Sequence, residues 1–425
     1  MSASLGVRCS RTPASDLTAT ASPSRVPALT GLRAVAALLV VGTHAAFATG
    51  KLTHGYVGAI YARLEVGVAI FFVLTGFLLF RPWVRAATGG AQPPNLSRYA
   101  WHRVRRIMPG YVVTVLAVFA LYTVFTPGPN PGQSWYGLIR HLTFTQIYTD
   151  NYLITLLHTG LSQMWSLAVE VSFYAVLPGL AYVLLRVLCR GQWRPGLTLA
   201  ALTALAAITP LWLVVGSSTE LLPNSAGMWL PAHIAWFAGG MALAVLEATG
   251  TRCHATAAIG LAIVLYLAVS TPVGGTILGP DPASAPVTKS LTYAAIATLA
   301  VAPVALGSAG WYGRLLSCRP LVWLGEISYE IFLLHVAIMA VTMHLVLGWP
   351  LFTGSLPGLI AATLALTIPA AWKLHRRTDR RSQASARSAG SSATNALPRW
   401  DSASFSSGVN SAAVRDEPDG MKTGS

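Results

Sequence analysis

The stretch LTGLRAVAALLVVGTHAAF, residues 29–47, decides the fold class of this sequence. It is almost wholly apolar, and about 20 such residues cross the ~30 Å hydrocarbon core of a bilayer as one α-helix. Two residues do not suit a lipid-facing anchor: Arg33 near the start and His44 well inside. Ionisable side chains within membrane spans normally face a helix bundle or a water-filled cavity. The stretch therefore predicts one helix of a bundle.

The rest of the sequence repeats this apolar pattern. Of 425 residues, 54% are hydrophobic and only 10% are charged, against roughly 25% charged residues in soluble domains. Apolar runs long enough to span a membrane fall near 29–48, 64–82, 107–126, 165–188, 197–216, 229–248, 255–272, 289–307, 326–347 and 352–373. The sequence predicts an all-α, polytopic membrane protein with about ten transmembrane helices.

The distribution of basic residues predicts the topology. The net charge is +15, and the arginines cluster in every second connection, as in 81–106 and 186–194. Under the positive-inside rule, this alternation places both termini in the cytoplasm. The Ala- and Arg-rich composition is typical of a high-GC bacterium, so we expect a multi-pass protein of the bacterial plasma (inner) membrane. No compact domain carries a basic face, so nucleic-acid binding is not expected.

Polar tails flank the predicted membrane domain, residues 27–375. Residues 1–26 are rich in Ser, Thr, Ala and Pro, and residues 376–425 are first basic and then polar without periodicity. Both are expected to be disordered cytoplasmic tails. An alternative is signal-peptidase cleavage near Ala46-Phe47-Ala48. The long preceding tail and the polar His44 argue against it.

Arg33 and His44 are the first candidate site residues. Their spacing corresponds to about 20° of rotation and ~16 Å of rise on a helix, so they share one face. Histidine can take or give a proton at neutral pH. The plainer alternative is that Arg33 snorkels to the interface and His44 makes a structural hydrogen bond. The shared face favours a functional pair.

Two more stretches place charge at the membrane. In SRYAWHRVRRIMPGY, residues 97–111, Arg103 and Arg106 share a helix face and could hold phosphate groups bidentately. A purely topogenic role for these arginines is an equal alternative. In MWSLAVEVSFYAVLP, residues 164–178, Glu170 would be costly without a partner. We expect a basic partner such as His44.

The ninth run holds two possible secondary site residues, Glu330 and His335, within WLGEISYEIFLLHVAIM, residues 323–339. The remaining histidines near span ends are expected to be interfacial: His102, His141, His158, His233 and His344. No metal site is predicted, because neither the histidines nor the four cysteines have the spacing of a ligand motif.

Taken together, these stretches resemble the integral-membrane acyltransferases of the acyltransferase-3 type, which include polysaccharide O-acetylases and macrolide acyltransferases. The resemblance covers residues 27–375. Arg33 and His44 match an R-x10-H signature, and RVRRIMP (103–109) is similar to an RxxR motif ahead of the third span. Further blocks match in order: GVAIFFVLTGFLL, WSLAVEVSFY and LGEISYEIFLLH.

The resemblance implies transfer of an acyl group, commonly acetyl, from cytoplasmic acyl-CoA to a hydroxyl of a cell-envelope glycan, glycolipid or small molecule. Acyl-CoA would be a co-substrate, and no resident cofactor is implied. His44 would be the base or acyl-handling residue, with Arg33 as its companion and Glu170 in support. Arg103 and Arg106 would hold the donor phosphates. Direct transfer and a covalent intermediate both stay open.

Two positions depart from the family pattern. Thr30 stands where an acidic residue is common, and Val171 follows Glu170 where a second glutamate is common. The chain resembles the short form of the family, with the membrane domain alone. A transporter or flippase of a lipid-linked or small polar substrate is the alternative function. The absence of convincing internal repeats in the sequence disfavours it.

Overall fold

The computed structural model describes residues 26–149, 157–276, 284–307 and 310–394, and it describes side chains as far as Thr378. Within these ranges every regular element is helical, which confirms the all-α prediction. The α-helices are α1 Pro27–Ala48, α2 Gly55–Ala62, α3 Val66–Ala87, α4 Leu96–Leu121, α5 Trp135–Leu142, α6 Trp165–Tyr182, α7 Pro195–Ala206, α8 Ile208–Ser218, α9 Leu230–Ala248, α10 Ala255–Val269, α11 Ala285–Ala305, α12 Gly310–Leu316, α13 Arg319–Glu326, α14 Ser328–Val341 and α15 Leu356–Thr394. Short 3-10 or π segments adjoin them at Lys51–Thr53, Arg63–Glu65, Thr159–Met164, Val183–Leu188, Asn224–Met228, Pro272–Gly274 and Thr342–Val346.

In the described part of the chain, nine helical segments are long and apolar enough to cross a membrane. They are Pro27–Ala48, Gly55–Ala87, Leu96–Leu121, Thr159–Leu188, Pro195–Ser218, Asn224–Ala248, Ala285–Ala305, Ser328–Val346 and Leu356–Thr378. The seventh predicted span, 255–272, contains α10, which has 15 residues and a length of about 22 Å, less than a full hydrocarbon core. The protein is therefore a multi-pass membrane protein, with nine full-length candidate spans and one shorter apolar helix among the described residues.

The two ends of the bundle are named here after α1: the arginine end, where Arg33 lies, and the histidine end, where His44 lies. At the arginine end the third span begins earlier than predicted. Asn95 caps α4 by accepting a hydrogen bond from the backbone N–H of Arg98 at 2.9 Å, a common N-cap arrangement. Arg103 and Arg106 therefore lie inside the helix, and the prediction that they precede the span is wrong.

The connection between the third and fourth spans contributes buried polar residues, which the sequence did not indicate. Tyr111 on α4 donates a hydrogen bond to the carbonyl of His141 on α5 at 2.7 Å, and His158 is hydrogen-bonded to Gln133 at 2.7 Å. Burial lowers the pKa of His141 to about 4 and that of His158 to about 3, so both are neutral at pH 7. The prediction that these histidines are interfacial is wrong, and His233 is buried as well.

Helix α1 is central to the bundle, since it packs against α3, α13 and α14. Helix α3 packs closely on α9, and glycines permit the contact. A Cβ at Gly76 would lie 2.2 Å from the carbonyl oxygen of Phe237, and one at Gly240 would lie 2.0 Å from that of Val73. Small residues at helix crossings are typical of membrane bundles. This packing fixes the helices that carry the candidate site.

The last described helix continues past residue 375, the predicted end of the membrane domain. Helix α15 runs from Leu356 to Thr394 without a break. The chain divides into two units, Met1–Thr378 and Asp379–Ser425, and the candidate site lies in the first. The predicted tails at 1–25 and 395–425 lie outside the described residues.

Candidate active site in the helix bundle

A cavity at the arginine end gathers residues from α1, α3, α4, α6 and α14. It holds about 790 Å³ of empty space, counted to its open mouth. Its charged lining includes Arg33, Arg103 and Arg106 together with Glu170. Leucines of α3 and phenylalanines of α3 and α14 form its apolar walls. The cavity, called the arginine cavity, therefore has both charged and apolar walls.

In the part of the chain that the structure describes, none of the three cavity arginines forms an ion pair. Among the described residues, their side chains make no hydrogen bond and no ion pair, and Nε of Arg103 is buried without a partner. Arg33 lies close enough to Arg106 and Arg103 for their charges to repel. Arg106 is exposed, whereas Arg33 and Arg103 are partly buried. A partly buried guanidinium without a partner is costly, and an anion with several oxygens would satisfy it bidentately. The arrangement suits an anionic ligand.

Glu170 lies in the arginine cavity and not beside His44. Its Oε1 accepts hydrogen bonds from the Thr75 hydroxyl at 2.7 Å and from the Tyr174 hydroxyl at 2.5 Å. His44, named from the sequence as an example of a basic partner, is therefore not the partner of Glu170. With one carboxylate and three guanidiniums, the cavity keeps a positive excess.

His44 is half-buried, and it shares its end of the bundle with His335 of α14. Nδ1 of His44 lies 2.8 Å from the carbonyl oxygen of Val40, which assigns a proton to Nδ1 and leaves Nε2 as a free acceptor. Nδ1 of His335 is likewise 2.8 Å from the carbonyl of Phe332. The Nε2 atom of His335 faces Nδ1 of His44 at 3.5 Å. The rings meet edge to face with centroids 5.0 Å apart.

Two phenylalanines connect the arginine cavity to this histidine pair. Phe71 and Phe332 line the cavity, their ring centroids are 6.2 Å apart, and the ring of Phe332 lies 5.9 Å from that of His335. Arg33 lines the cavity together with Arg103 and Arg106. Along α1, the position of Arg33 is about 16 Å from that of His44. The cavity and the histidine pair therefore follow one another along one face of α1.

Glu330 stands apart from this arrangement. It is buried, does not line the arginine cavity, and its Oε1 lies 3.0 Å from Nδ1 of His375 on α15.

The two hydroxyls that hold Glu170 were not predicted from the sequence. Tyr174 could have been found, because it follows Glu170 by four residues on one helix face. Thr75 belongs to another helix, and nothing in the sequence connects the two.

Comparison with known proteins agrees with this architecture. The acyltransferase domain family Acyl_transf_3 matches residues 26–374. Acyltransferase MdmB of Streptomyces mycarofaciens is 26% identical over 370 residues, covering 83% of this chain and 90% of that protein. Peptidoglycan O-acetyltransferase OatA of Listeria monocytogenes is 24% identical over 353 residues, covering 75% of this chain.

This chain spans about half the length of OatA, since the match covers 50% of that protein. A shorter match of 26% identity over 140 residues, 31% of this chain and 26% of the relative, links it to the regulator of hypoxia-inducible factor 1 of Caenorhabditis elegans. No solved structure matches the chain significantly. Because the family match covers nearly the whole described bundle, the chain belongs to the Acyl_transf_3 family of acyltransferase domains.

Proposed function

We propose that this protein is a membrane-embedded O-acyltransferase of the bacterial plasma membrane. It moves an acyl group, acetyl in the first instance, from cytoplasmic acyl-CoA to a hydroxyl of a cell-envelope glycan, glycolipid or small molecule. One observation carries the proposal: an unpaired arginine cavity and a histidine with a free Nε2 lie at opposite ends of one face of α1. The names of the relatives, an O-acetyltransferase and an acyltransferase, support it.

The donor is assigned to the arginine cavity on chemical grounds. Coenzyme A carries phosphates, which guanidinium forks bind bidentately. Its flexible arm suits the apolar walls of the cavity and would carry the thioester about 16 Å along α1, past Phe71 and Phe332. The clusters of basic residues in the connections at the arginine end support a cytoplasmic placement of the cavity mouth.

His44 then acts as the general base. Its Nε2 takes the proton of the acceptor hydroxyl while the hydroxyl oxygen attacks the thioester carbonyl. The new C–O bond forms, the C–S bond breaks, and the CoA thiolate leaves with the proton that His44 carried. While His44 is protonated, the lone pair of His335 Nε2 faces its Nδ1–H and stabilises the imidazolium. His335 is thus a positioning residue for His44.

The proposal is tested by supplying acetyl-CoA, labelled in the acetyl group, to membranes containing the full-length chain. The readout is label in the lipid, glycan and small-molecule fractions at matched protein levels. His44→Gln should lower transfer by about 10²- to 10⁴-fold, the usual contribution of a general base. His102→Gln is the matched control. Nδ1 of His102 bonds the carbonyl of Arg98 at 2.6 Å, one turn back as in His44, but its side chain is exposed and outside the arginine cavity.

The control should transfer label at the wild-type rate. Equal transfer by the wild type and His44→Gln would contradict the assignment of His44. No transfer by the wild type from acetyl-CoA would contradict acetyl as the transferred group, and a series of longer acyl-CoA donors would then identify the acyl chain.

A further inference from the structure

An ion pair at the histidine end has no role in the mechanism above. Nζ of Lys289 on α11 lies 3.2 Å from Oε1 of Glu65, and the Tyr293 hydroxyl donates to the same oxygen at 3.0 Å. The side chains of Lys289 and Glu65 are 37% and 42% exposed, although both residues lie within candidate spans. Charges placed inside spans face cavities and mark substrate paths. The partly exposed pair is therefore a candidate to contact a substrate.

The 3-10 turn Arg63–Glu65, which carries Glu65, is held in place by hydrogen bonds of Arg63. Nε of Arg63 donates to the carbonyl of Val269 at 3.1 Å, and its Nη2 donates to the carbonyls of Gly274 and Gly275 at 2.8 and 2.7 Å. Arg63 is buried, so these three bonds replace its hydration. The backbone position of Glu65 is fixed by contacts with the segment that follows α10.

The same turn packs on α1 next to His44. The Thr43 hydroxyl donates to the carbonyl of Ala62 at 3.2 Å, and a Cβ added to Gly42 would lie 2.9 Å from Cδ1 of Leu64. Glu65 is close enough to His44 for the two side chains to interact electrostatically. The ion pair and the proposed base thus belong to one region.

Stability alone does not account for the pair. A partly exposed ion pair contributes only about 0–1 kcal/mol, whereas the chain uses Arg63, Tyr293 and α1 to hold this one in position. A partly exposed carboxylate and ammonium side by side offer an acceptor and a donor to hydroxyl groups. Their charges cancel, so together they favour a neutral ligand over an ion.

We propose that Glu65 and Lys289 form the binding subsite for the acyl acceptor, and that the acceptor is a neutral, hydroxyl-rich molecule of the sugar class. Glu65 accepts a hydrogen bond from one hydroxyl, Lys289 donates to another oxygen, and a neighbouring hydroxyl is presented to Nε2 of His44. This inference rests on the proposed acyl transfer and specifies its acceptor side.

The test uses the full-length protein in lipid nanodiscs, with labelled acetyl-CoA as donor and chitotriose, a neutral N-acetylglucosamine trimer, as acceptor probe. Glu65→Gln and Lys289→Gln should each raise the KM for chitotriose by about tenfold or more, the effect of losing one hydrogen bond to a charged group. The KM for acetyl-CoA should not change. Lys289→Arg should keep most of the wild-type KM, because it keeps the charge and the donor.

Glu247→Gln is the matched control. It removes the carboxylate of another ion pair between spans, with Arg81 at the arginine end, and should leave both KM values unchanged. Size-exclusion chromatography checks that each variant is folded, and Lys289→Gln tests the subsite independently if Glu65→Gln aggregates.

Three results would overturn the subsite. Glu65→Gln and Lys289→Gln could keep the wild-type KM for chitotriose, or they could raise the KM of donor and acceptor equally, as a general distortion would. The wild type could also acetylate membrane lipids but not chitotriose, which would refute a neutral sugar acceptor. If the wild type consumed no acyl-CoA with any acceptor, acyl transfer itself would fail, and that result is distinct from the other three.

Discussion

Arginines in two regions of this bundle have opposite surroundings. At the histidine end, Arg63 is buried and donates hydrogen bonds to three backbone carbonyls. At the arginine end, Arg33, Arg103 and Arg106 share one cavity, and none has a hydrogen-bond or ion-pair partner among the described residues. Both groups lie within helical segments that could span the membrane, so membership of a span does not explain the difference.

The difference separates structural from ligand-binding charge. A buried charge that only stabilises the fold must be satisfied by the chain, because its desolvation is expensive. Arg63 meets this condition, and so does Arg81, which pairs with Glu247. Arg33 and Arg103, which are partly buried, do not meet it, and Glu170 offsets only part of the charge of the cavity. The missing negative charge is therefore expected to come from a substrate.

The largest effect on stability is expected from Arg63→Gln. The shorter, neutral side chain leaves at least two of the three carbonyls without a donor, and each lost bond to a charged group costs about 1.5–3 kcal/mol. The variant should lose about 3 kcal/mol or more, measured as a lower thermal unfolding midpoint in detergent. An unchanged midpoint would show that Arg63 does not stabilise the fold, which would contradict its contrast with the arginines of the arginine cavity.

Arg33→Gln should act on the donor and not on the fold. Removing one guanidinium from the cavity should raise the KM for acetyl-CoA by about 10- to 100-fold, since a charge-assisted bond to phosphate is lost. Stability should stay the same or rise, because the repulsion from Arg103 and Arg106 falls. Steady-state kinetics and thermal unfolding of the same preparation check both parts. If Arg33→Gln were destabilised and its KM for acetyl-CoA unchanged, Arg33 would be a structural arginine and not a ligand-binding one.

Glu170→Gln should give the smallest effect, with the opposite sign. Glutamine keeps an oxygen that can accept from Thr75 and Tyr174 but removes the negative charge that repels donor phosphates. The KM for acetyl-CoA should fall by about threefold, equivalent to less than 1 kcal/mol. Added CoA should raise the unfolding midpoint more than it does for the wild type. A rise in the KM would mean that the carboxylate itself binds part of the donor.

The sequence predicted the parts of the site that depend on one helix. The shared face of Arg33 and His44 follows from helical periodicity, and α1 is continuous over both. The pairing of His44 with His335 joins the first and ninth predicted runs. No spacing rule relates residues so distant in the chain, so only the packing of α14 on α1 reveals it.

The errors have physical reasons. Apolar runs place a span by hydropathy, but the long stems of arginines allow α4 to continue for several residues beyond the apolar run. Helix α5 has only 8 residues, too few for a long apolar run, and the Tyr111 hydroxyl binds it to the bundle through the carbonyl of His141. Glu170 was expected near His44 because a carboxylate needs a partner. Two hydroxyls from different helices supply it.

The most direct test of the central claim is equilibrium binding of CoA, without an acyl group and without turnover, to the purified protein. The double variant Arg103→Gln/Arg106→Gln removes two charges from the arginine cavity. Arg81→Gln/Arg85→Gln removes two charges from the same end of the bundle but outside that cavity, where Glu247 is their partner. Isothermal titration calorimetry at two salt concentrations measures affinity and its charge dependence.

The wild type should bind CoA more weakly at high salt, as expected for phosphate contacts. The cavity variant should lose affinity about 100-fold or more, and the control variant should bind as the wild type does. Equal CoA affinity in the two double variants would contradict the claim that the unpaired arginines form the donor site.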